Sequence, residues 1–277
     1  MKSSKTSENS KKALLEIEKI VQSIQDAKAL ASYYLEFWRR VIVLELIKEV
    51  CPKGSVVADL GAQPFIVSCA LKLMGYEVIA YDYDPDPYLD IAKAFGVKVV
   101  KCDLERDSLG MEDGSVDCAI LSEVIEHINP YFVNYTLSEV NRILKVGGKL
   151  IITTPNIASL FRRLKLLIGK TPIYRLHVRE YTKYEVEGLL RDHGFRICES
   201  FYSEVNDLHF VEANPHDYLM IDGYRDLIRI LLKRPSRTNL LRTIAFPLVK
   251  AVPALRMTIV VVAEKAEHLK PRSIERW

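Results

Sequence analysis

The stretch VVADLGAQPF, residues 56 to 65, is a short apolar run broken by Asp59 and closed at Gly61. A β-branched run of this length that gives way to glycine reads as a buried strand entering a tight turn. Turns that cradle a nucleotide usually carry further glycines, because positive φ and close backbone approach need them. Here Gln63 and Phe65 occupy those places. The surrounding sequence has to show whether a nucleotide-like cofactor still fits.

Outward from this stretch, short β-branched runs alternate with helical ones. Strand candidates are SVVADL, YEVIAYD, VKVVKCD, VDCAILSE, GKLIITTPN, RICESFY and MTIVVVAEK. Helical stretches follow Phe65, Pro85 and Pro130, and the helix TKYEVEGLLRDHGF has Thr182 as N-cap and Gly194 as its stop. Strands alternating with helices predict an α/β fold, a doubly wound Rossmann-like parallel sheet covered on both faces. Before it, Leu14, Ile17, Ile20, Val21 and Ile24, then Leu35, Trp38, Ile42 and Leu46, recur at helical spacing. The expected organisation is a disordered tail over 1–12, a helical extension over 13–50, a core over 51–204, a helical lid over 205–256, and the last strand with a tail over 257–277.

Composition excludes several classes. A chain of 277 residues, 49% hydrophobic, can bury a full core, and a net charge of +3 is too balanced to indicate nucleic acid alone. The five cysteines, Cys51, Cys69, Cys102, Cys118 and Cys198, form no CxxC pair and read as reduced thiols of a cytoplasmic protein. No run approaches the ~18–20 apolar residues of a membrane span, and MKSSKTSENSKK lacks the apolar stretch of a secretory signal.

In an open parallel sheet, ligands settle at the carboxyl ends of the strands. Asp59-Leu60-Gly61, Asp82, Cys102-Asp103-Leu104 and Leu121-Ser122-Glu123 all close strands. An acid after the second strand suits a ribose diol, since charge-assisted hydrogen bonds are the stronger ones. That leaves nicotinamide dinucleotides and S-adenosylmethionine. The series VADLGA, VIAYDYDP, VKCDLE, SVDCAILSEVIEHI and LSEVNRILKVGGKLIITTPN, over about residues 54 to 200, resembles the class I S-adenosylmethionine-dependent methyltransferases. The resemblance implies a seventh, antiparallel strand, matching MTIVVVAEK. It also implies a cofactor site: Gly61 beneath the methionine portion, Asp82 at the ribose and Asp103 near the adenine amino group. Asp59 would support the turn, and Ala62, Gln63, Tyr83, Cys102, Leu104 and Ser122 would line the rim. If Gln63 and Phe65 narrow the pocket, a helix starting at Pro64 would still aim its positive end at the methionine carboxylate.

LSEVIEHI is the second informative stretch. Glu123, Glu126 and His127 stand at i, i+3 and i+4, one face of a helical turn. They could be a solvated helix start, or could chelate a divalent ion such as Mg²⁺ or Mn²⁺. The same run resembles that of ubiquinone-pathway O-methyltransferases and small-RNA 3′-terminal 2′-O-methyltransferases. That resemblance implies a metal beside the substrate hydroxyls, and HVREYTKYEV adds His177 as a fourth ligand. HVREYT also resembles methyltransferases of glycan and lipid decoration. Without a metal, His127 is the best-placed general base. Tyr131 and Asn156 rank second as substrate contacts and read equally well as packing and loop residues.

The expected activity is methyl transfer from S-adenosylmethionine to a hydroxyl of a small-molecule, sugar or lipid-linked glycan acceptor. Metal-assisted 2′-O-methylation of RNA is one alternative, and a non-catalytic binding module with a degenerate glycine-rich loop is another. Residues 224–256 carry eight Lys or Arg against one acid, Asp226. Such a segment could seat an anionic substrate, make peripheral membrane contact, or pack as a plain lid. RNA is less favoured, because the segment has few aromatics for base stacking.

Overall fold

The computed structural model describes residues 8–23 and 27–266. Seven strands form one sheet: β1 (Val56–Leu60), β2 (Glu77–Asp82), β3 (Lys98–Lys101), β4 (Val116–Ser122), β5 (Leu144–Pro155), β6 (Phe195–Ser203) and β7 (Thr258–Lys265). Their order is β3-β2-β1-β4-β5-β7-β6, and β7 runs antiparallel to both of its neighbours. Each expected strand is present, and the last is antiparallel as the resemblance implied.

Both faces of the sheet are buried. Along β4, Cys118 and Ile120 join one apolar cluster while Ala119 and Leu121 join the other. That period of two explains why β4 reads as a continuous apolar run rather than an alternating one. The first cluster contains side chains of α1 (Glu8–Ser23), α2 (Ala27–Val50), α3 (Ile66–Leu73) and α4 (Leu89–Ala94). The second contains those of α5 (Val133–Ile143) and α7 (Lys183–Asp192). Thr182 and Glu185 form a reciprocal capping box at the start of α7, and Gly194 takes φ 77° at its end.

Two expectations need correction. Helix α1 starts at Glu8, within the stretch expected to be disordered. Ser10 is buried and donates its hydroxyl to Glu45, which draws the polar start of the helix onto α2; residues 1–7 and the tail beyond 266 lie outside the described residues. Helix α3 starts at Ile66, not Pro64, because Phe65 adopts a left-handed conformation at its N-cap.

Between α5 and α7, β5 is followed by α6 (Leu160–Leu167). The segment before β7 is helical: α8 (Val205–His209), α9 (Pro215–Leu219), α10 (Tyr224–Lys233) and α11 (Arg237–Ala251). It has a small core of its own, including Leu208, Ile221, Leu227 and Phe246. It also docks on the N-terminal extension, where the Trp38 indole donates to the Tyr218 carbonyl at 2.9 Å. The two elements added to the sheet therefore support each other. No described helix is long and apolar enough to cross a membrane.

Candidate active site

The parallel register sets the rim. Leu60 lies beside Tyr81 and Leu121, Asp82 beside Lys101, and Ser122 beside Thr153. The residues that follow these positions are thereby delivered to one edge of the sheet. Gly61 takes φ 68°, and a Cβ there would lie 2.6 Å from Val124 Cγ2. Glycine is required on both counts, because the turn after β1 leans on the turn after β4. The Gly61 and Ala62 amides both donate to the Tyr81 carbonyl.

Asp82 accepts from the Gln63 amide at 2.9 Å and the Asp84 amide at 3.1 Å, one on each carboxylate oxygen. A carboxylate offers about four lone-pair sites, so both oxygens keep capacity for a ribose diol. The Gln63 side chain donates to the Asp84 carbonyl at 2.7 Å, tying the turn after β1 to the one after β2. Gln63 thus closes the gap between two loops instead of entering the hollow between them. Phe65 is fully buried in the apolar cluster that contains α1 to α4 side chains. Its ring is spent on the core, so neither replacement of glycine fills the rim.

Asp59 is buried beneath the turn and accepts from the Ser68 hydroxyl at 2.5 Å. Burial, reinforced by Asp82, pushes its carboxyl up to about 6. It ties β1 to the first turn of α3, where Ser68 lies. Asp103 caps its own turn, accepting from the Glu105 amide at 3.0 Å. Cys102 and its buried thiol sit below, pushed up to about 11 by burial. Leu104 is half-buried, Tyr83 is exposed, and Ser122 shares a hydrogen bond with Thr153 at 2.9 Å.

After β4 the chain makes a turn, not a helix, and this separates the three residues expected on one face. Glu123 takes φ 59°, a left-handed value that breaks the helical spacing; its carboxylate falls outside the group formed by Glu126 and His127, although its charge still reaches Glu126. It pairs instead with Arg39 of α2, Nη1 to Oε2 at 3.2 Å. Arg39 also pairs with Glu36 at 2.8 Å, and these two carboxylates hold it charged although burial works against it. Arg39 Nε and Glu123 Oε1 are buried with no hydrogen-bond partner. Sequence reading missed Arg39. The signal available was the Arg39-Arg40 pair set between the apolar residues Phe37, Trp38, Val41 and Ile42 of a helical run.

Glu126, His127 and His177 place their ligating atoms within 4.8 Å of one another, and Glu123 is not in the group. The expected four-residue set is therefore reduced to three. Each of the three is oriented by a second group. His127 Nδ1 meets the Leu176 carbonyl at 3.1 Å, and His177 Nδ1 meets Glu180 Oε1 at 2.8 Å. Both partners only accept, so each Nδ1 donates and each Nε2 is left outside these bonds. Glu180 is itself fixed by the Arg162 guanidinium at 2.6 Å. Thr154 donates to Glu126 Oε2 at 2.9 Å, while Glu126 Oε1 is buried without a partner. Burial first and then Glu123 hold the Glu126 carboxyl well above its ordinary range. Burial and the His177 ring hold the His127 imidazole below its ordinary value, although its edge is open to solvent. Two imidazoles with carboxylate or carbonyl partners and one orphaned carboxylate oxygen are a donor set suited to a borderline divalent cation such as Mn²⁺ and poorly suited to Mg²⁺, which takes oxygen ligands.

Of the two readings of Asn156, the structure supports the packing one, with the side chain buried. Its amide donates to the Ala254 and Arg256 carbonyls at 3.0 and 2.8 Å, fastening the helical insertion to the end of β5. Tyr131 is 88% exposed and free for contact with an acceptor.

Residues 58–152 match a family model described as a methyltransferase domain. A probable S-adenosylmethionine-dependent methyltransferase of Mycolicibacterium smegmatis is 27% identical over 167 residues, 58% of this chain and 59% of that protein. The chain thus spans less than two thirds of that relative. A S-adenosylmethionine-dependent methyltransferase of Archaeoglobus fulgidus has the same fold, with TM-score 0.56 and 20% identity over 87% of this chain and 100% of that one. So does the [4+2]-cyclase SpnF, with TM-score 0.54 and 14% identity over 81% and 80%. Strand order, rim and domain match agree: residues 58–152 carry a methyltransferase domain, and the fold is that of the class I S-adenosylmethionine-dependent methyltransferases.

Proposed function

We propose that the chain transfers a methyl group from S-adenosylmethionine to a hydroxyl of a small-molecule, sugar or lipid-linked acceptor. When bound, the cofactor would supply an electrophilic methyl carbon on a sulfonium. Asp82 would accept from the ribose hydroxyls, and Asp103 would lie near the adenine. Arg39 and Glu123 offer opposite charges with buried, unpaired polar atoms, which suits the carboxylate and ammonium of an amino-acid zwitterion.

The observation that carries the choice of a hydroxyl is the oriented trio of Glu126, His127 and His177. Methyl transfer is an in-line displacement, so the protein chiefly aligns the two partners and deals with the acceptor proton. In our reading the trio holds a divalent cation, which would lower the pKa of the hydroxyl and orient it. The alternative use of the same atoms is metal-free, with His127 Nε2 taking the proton; its depressed pKa keeps it neutral and able to do so.

The test is to strip the protein with chelator and titrate Mn²⁺. Stoichiometric binding read by electron paramagnetic resonance, abolished in His177→Ala, is expected. Methylation of hydroxyl acceptors should return with the ion. Activity indifferent to chelator but lost in His127→Ala would replace the cation with the base. Calorimetry that finds no S-adenosylmethionine binding would end both readings.

A further inference from the structure

We propose that the face formed by α6, the loop to His177 and α11 docks on the anionic surface of a lipid bilayer and receives a membrane-borne acceptor. The acceptor half of this statement rests on the function proposed above; the docking half stands alone.

Helix α11 is apolar on two sides. Thr243, Phe246 and Val249 are buried, while Leu240, Leu241, Ile244 and Leu248 lie on the opposite side and are exposed, Ile244 to 66%. Helix α6 buries none of its residues. Leu164, Leu167 and Ile168 are exposed there, Leu167 to 80%. The two helices adjoin, since the Arg242 guanidinium stacks 4.1 Å over the Phe161 ring.

Charge selects the occupant. Residues 160–179 and 224–256 hold fourteen Lys or Arg; Arg162, Arg179, Arg229, Lys233 and Arg256 pair with acids and Arg242 is packed on Phe161, while the other eight are exposed and make no ion pair among the described residues. A second copy on a two-fold axis would set this positive face against itself. Apart from Tyr174 and Tyr224, the exposed apolar residues between the charges are leucine, isoleucine and valine, which give no run of stacking platforms for nucleic-acid bases. An anionic bilayer satisfies both parts, lipid taking the apolar side chains and phosphate the cations.

Placement ties the surface to the chemistry. Leu176 exposes its side chain while its carbonyl holds His127 Nδ1. An amphiphile could leave its chains in the bilayer and present a head-group hydroxyl to the Glu126, His127 and His177 trio.

The experiment is cosedimentation of the full chain with vesicles of phosphatidylcholine alone and of a phosphatidylcholine–phosphatidylglycerol mixture, at low and high salt. Binding to the mixed vesicles only, weakened by salt, is expected. Leu241→Glu combined with Ile244→Glu should reduce it about tenfold or more, and Leu167→Glu combined with Ile168→Glu should act likewise from a helix with no buried residue. Calorimetry with S-adenosylmethionine should be unchanged in both variants, which separates loss of docking from loss of the fold or of the cofactor site. Equal binding to neutral vesicles, or none to either, overturns the proposal. So does undiminished binding by both variants, or a dimer in light scattering that these substitutions dissolve while vesicles are ignored. Vesicle binding without cofactor binding would leave the docking face intact and sink the methyltransferase reading instead.

Discussion

The turn after β1 and the turn after β4 each force a bulky residue into left-handed backbone, Phe65 at φ 66° and Glu123 at φ 59°. Such a conformation costs roughly 1–2 kcal/mol for a residue with a Cβ. In the first turn the cost is offset on the spot, because the Phe65 ring is fully buried. In the second nothing comparable is gained: Glu123 reaches Arg39 and leaves a polar atom of each without a partner. Strain compensated by packing serves the fold, and strain left uncompensated beside a rim is what the ligand role proposed for Glu123 and Arg39 would explain.

The comparison breaks most visibly at Phe65. Phe65→Ala keeps the strained backbone and loses the ring, so unfolding in denaturant should show a loss of about 3–5 kcal/mol. Phe65→Gly restores the residue usual in such turns and should recover about 1 kcal/mol of that. A glycine variant as stable as the parent would mean the ring contributes no more than the strain costs, and the packing contrast between the two turns would be lost.

Asp59 tests the same turn through pH. Its carboxyl is pushed up to about 6, so between about pH 4 and 6 the native state binds more protons than the unfolded chain. Stability should therefore fall as pH rises through that window, by at most about 3 kcal/mol, and stay level above it. Asp59→Asn can still accept from Ser68 and should flatten the profile. An unchanged slope would place the titration elsewhere.

The contact between the two turns is the next smallest effect. Gly61→Ala meets both a left-handed φ and Val124 Cγ2, for a loss of about 2 kcal/mol. Val124→Ala in the same chain should return part of it, since the added methyl then has room. Strict additivity in the double-mutant cycle would show that the loops do not press on each other.

These two turns also show where the sequence was legible. Gly61, Asp82, Asp103 and Ser122 could be placed because strand ends follow from hydrophobic runs, and a parallel sheet brings strand ends to one edge. His127 and His177 were legible as residue types suited to a site. Their fixed tautomers were not, because the groups that hold them, the Leu176 carbonyl and Glu180, act through loop geometry that no periodicity encodes. Glu123 was assigned to the trio on helical spacing, and one left-handed residue broke that spacing. Arg39 was hidden because its contact with Glu123 spans two elements far apart in the chain, and helical periodicity reports only which face is apolar. The start of α1 was hidden because its polar residues gain a partner, Glu45, only once α2 is in place.

The smallest effect on stability carries the sharpest test. Glu123→Gln removes a charge from the pair with Arg39, but Arg39 keeps Glu36, and Glu126 loses a repulsive neighbour. These opposing terms should leave unfolding within about 1 kcal/mol of the parent. If Glu123 receives the ammonium of the cofactor, calorimetry should show S-adenosylmethionine binding weakened about tenfold, since a charge-assisted bond becomes a neutral one. Glu123→Gly relieves the left-handed backbone as well, so it should be at least as stable as the glutamine variant and no better at binding. A glycine variant that binds like the parent would show that the second turn is strained for reasons of folding, as the first is. A glycine variant that gains stability and loses affinity would show the strain being held in place for the ligand.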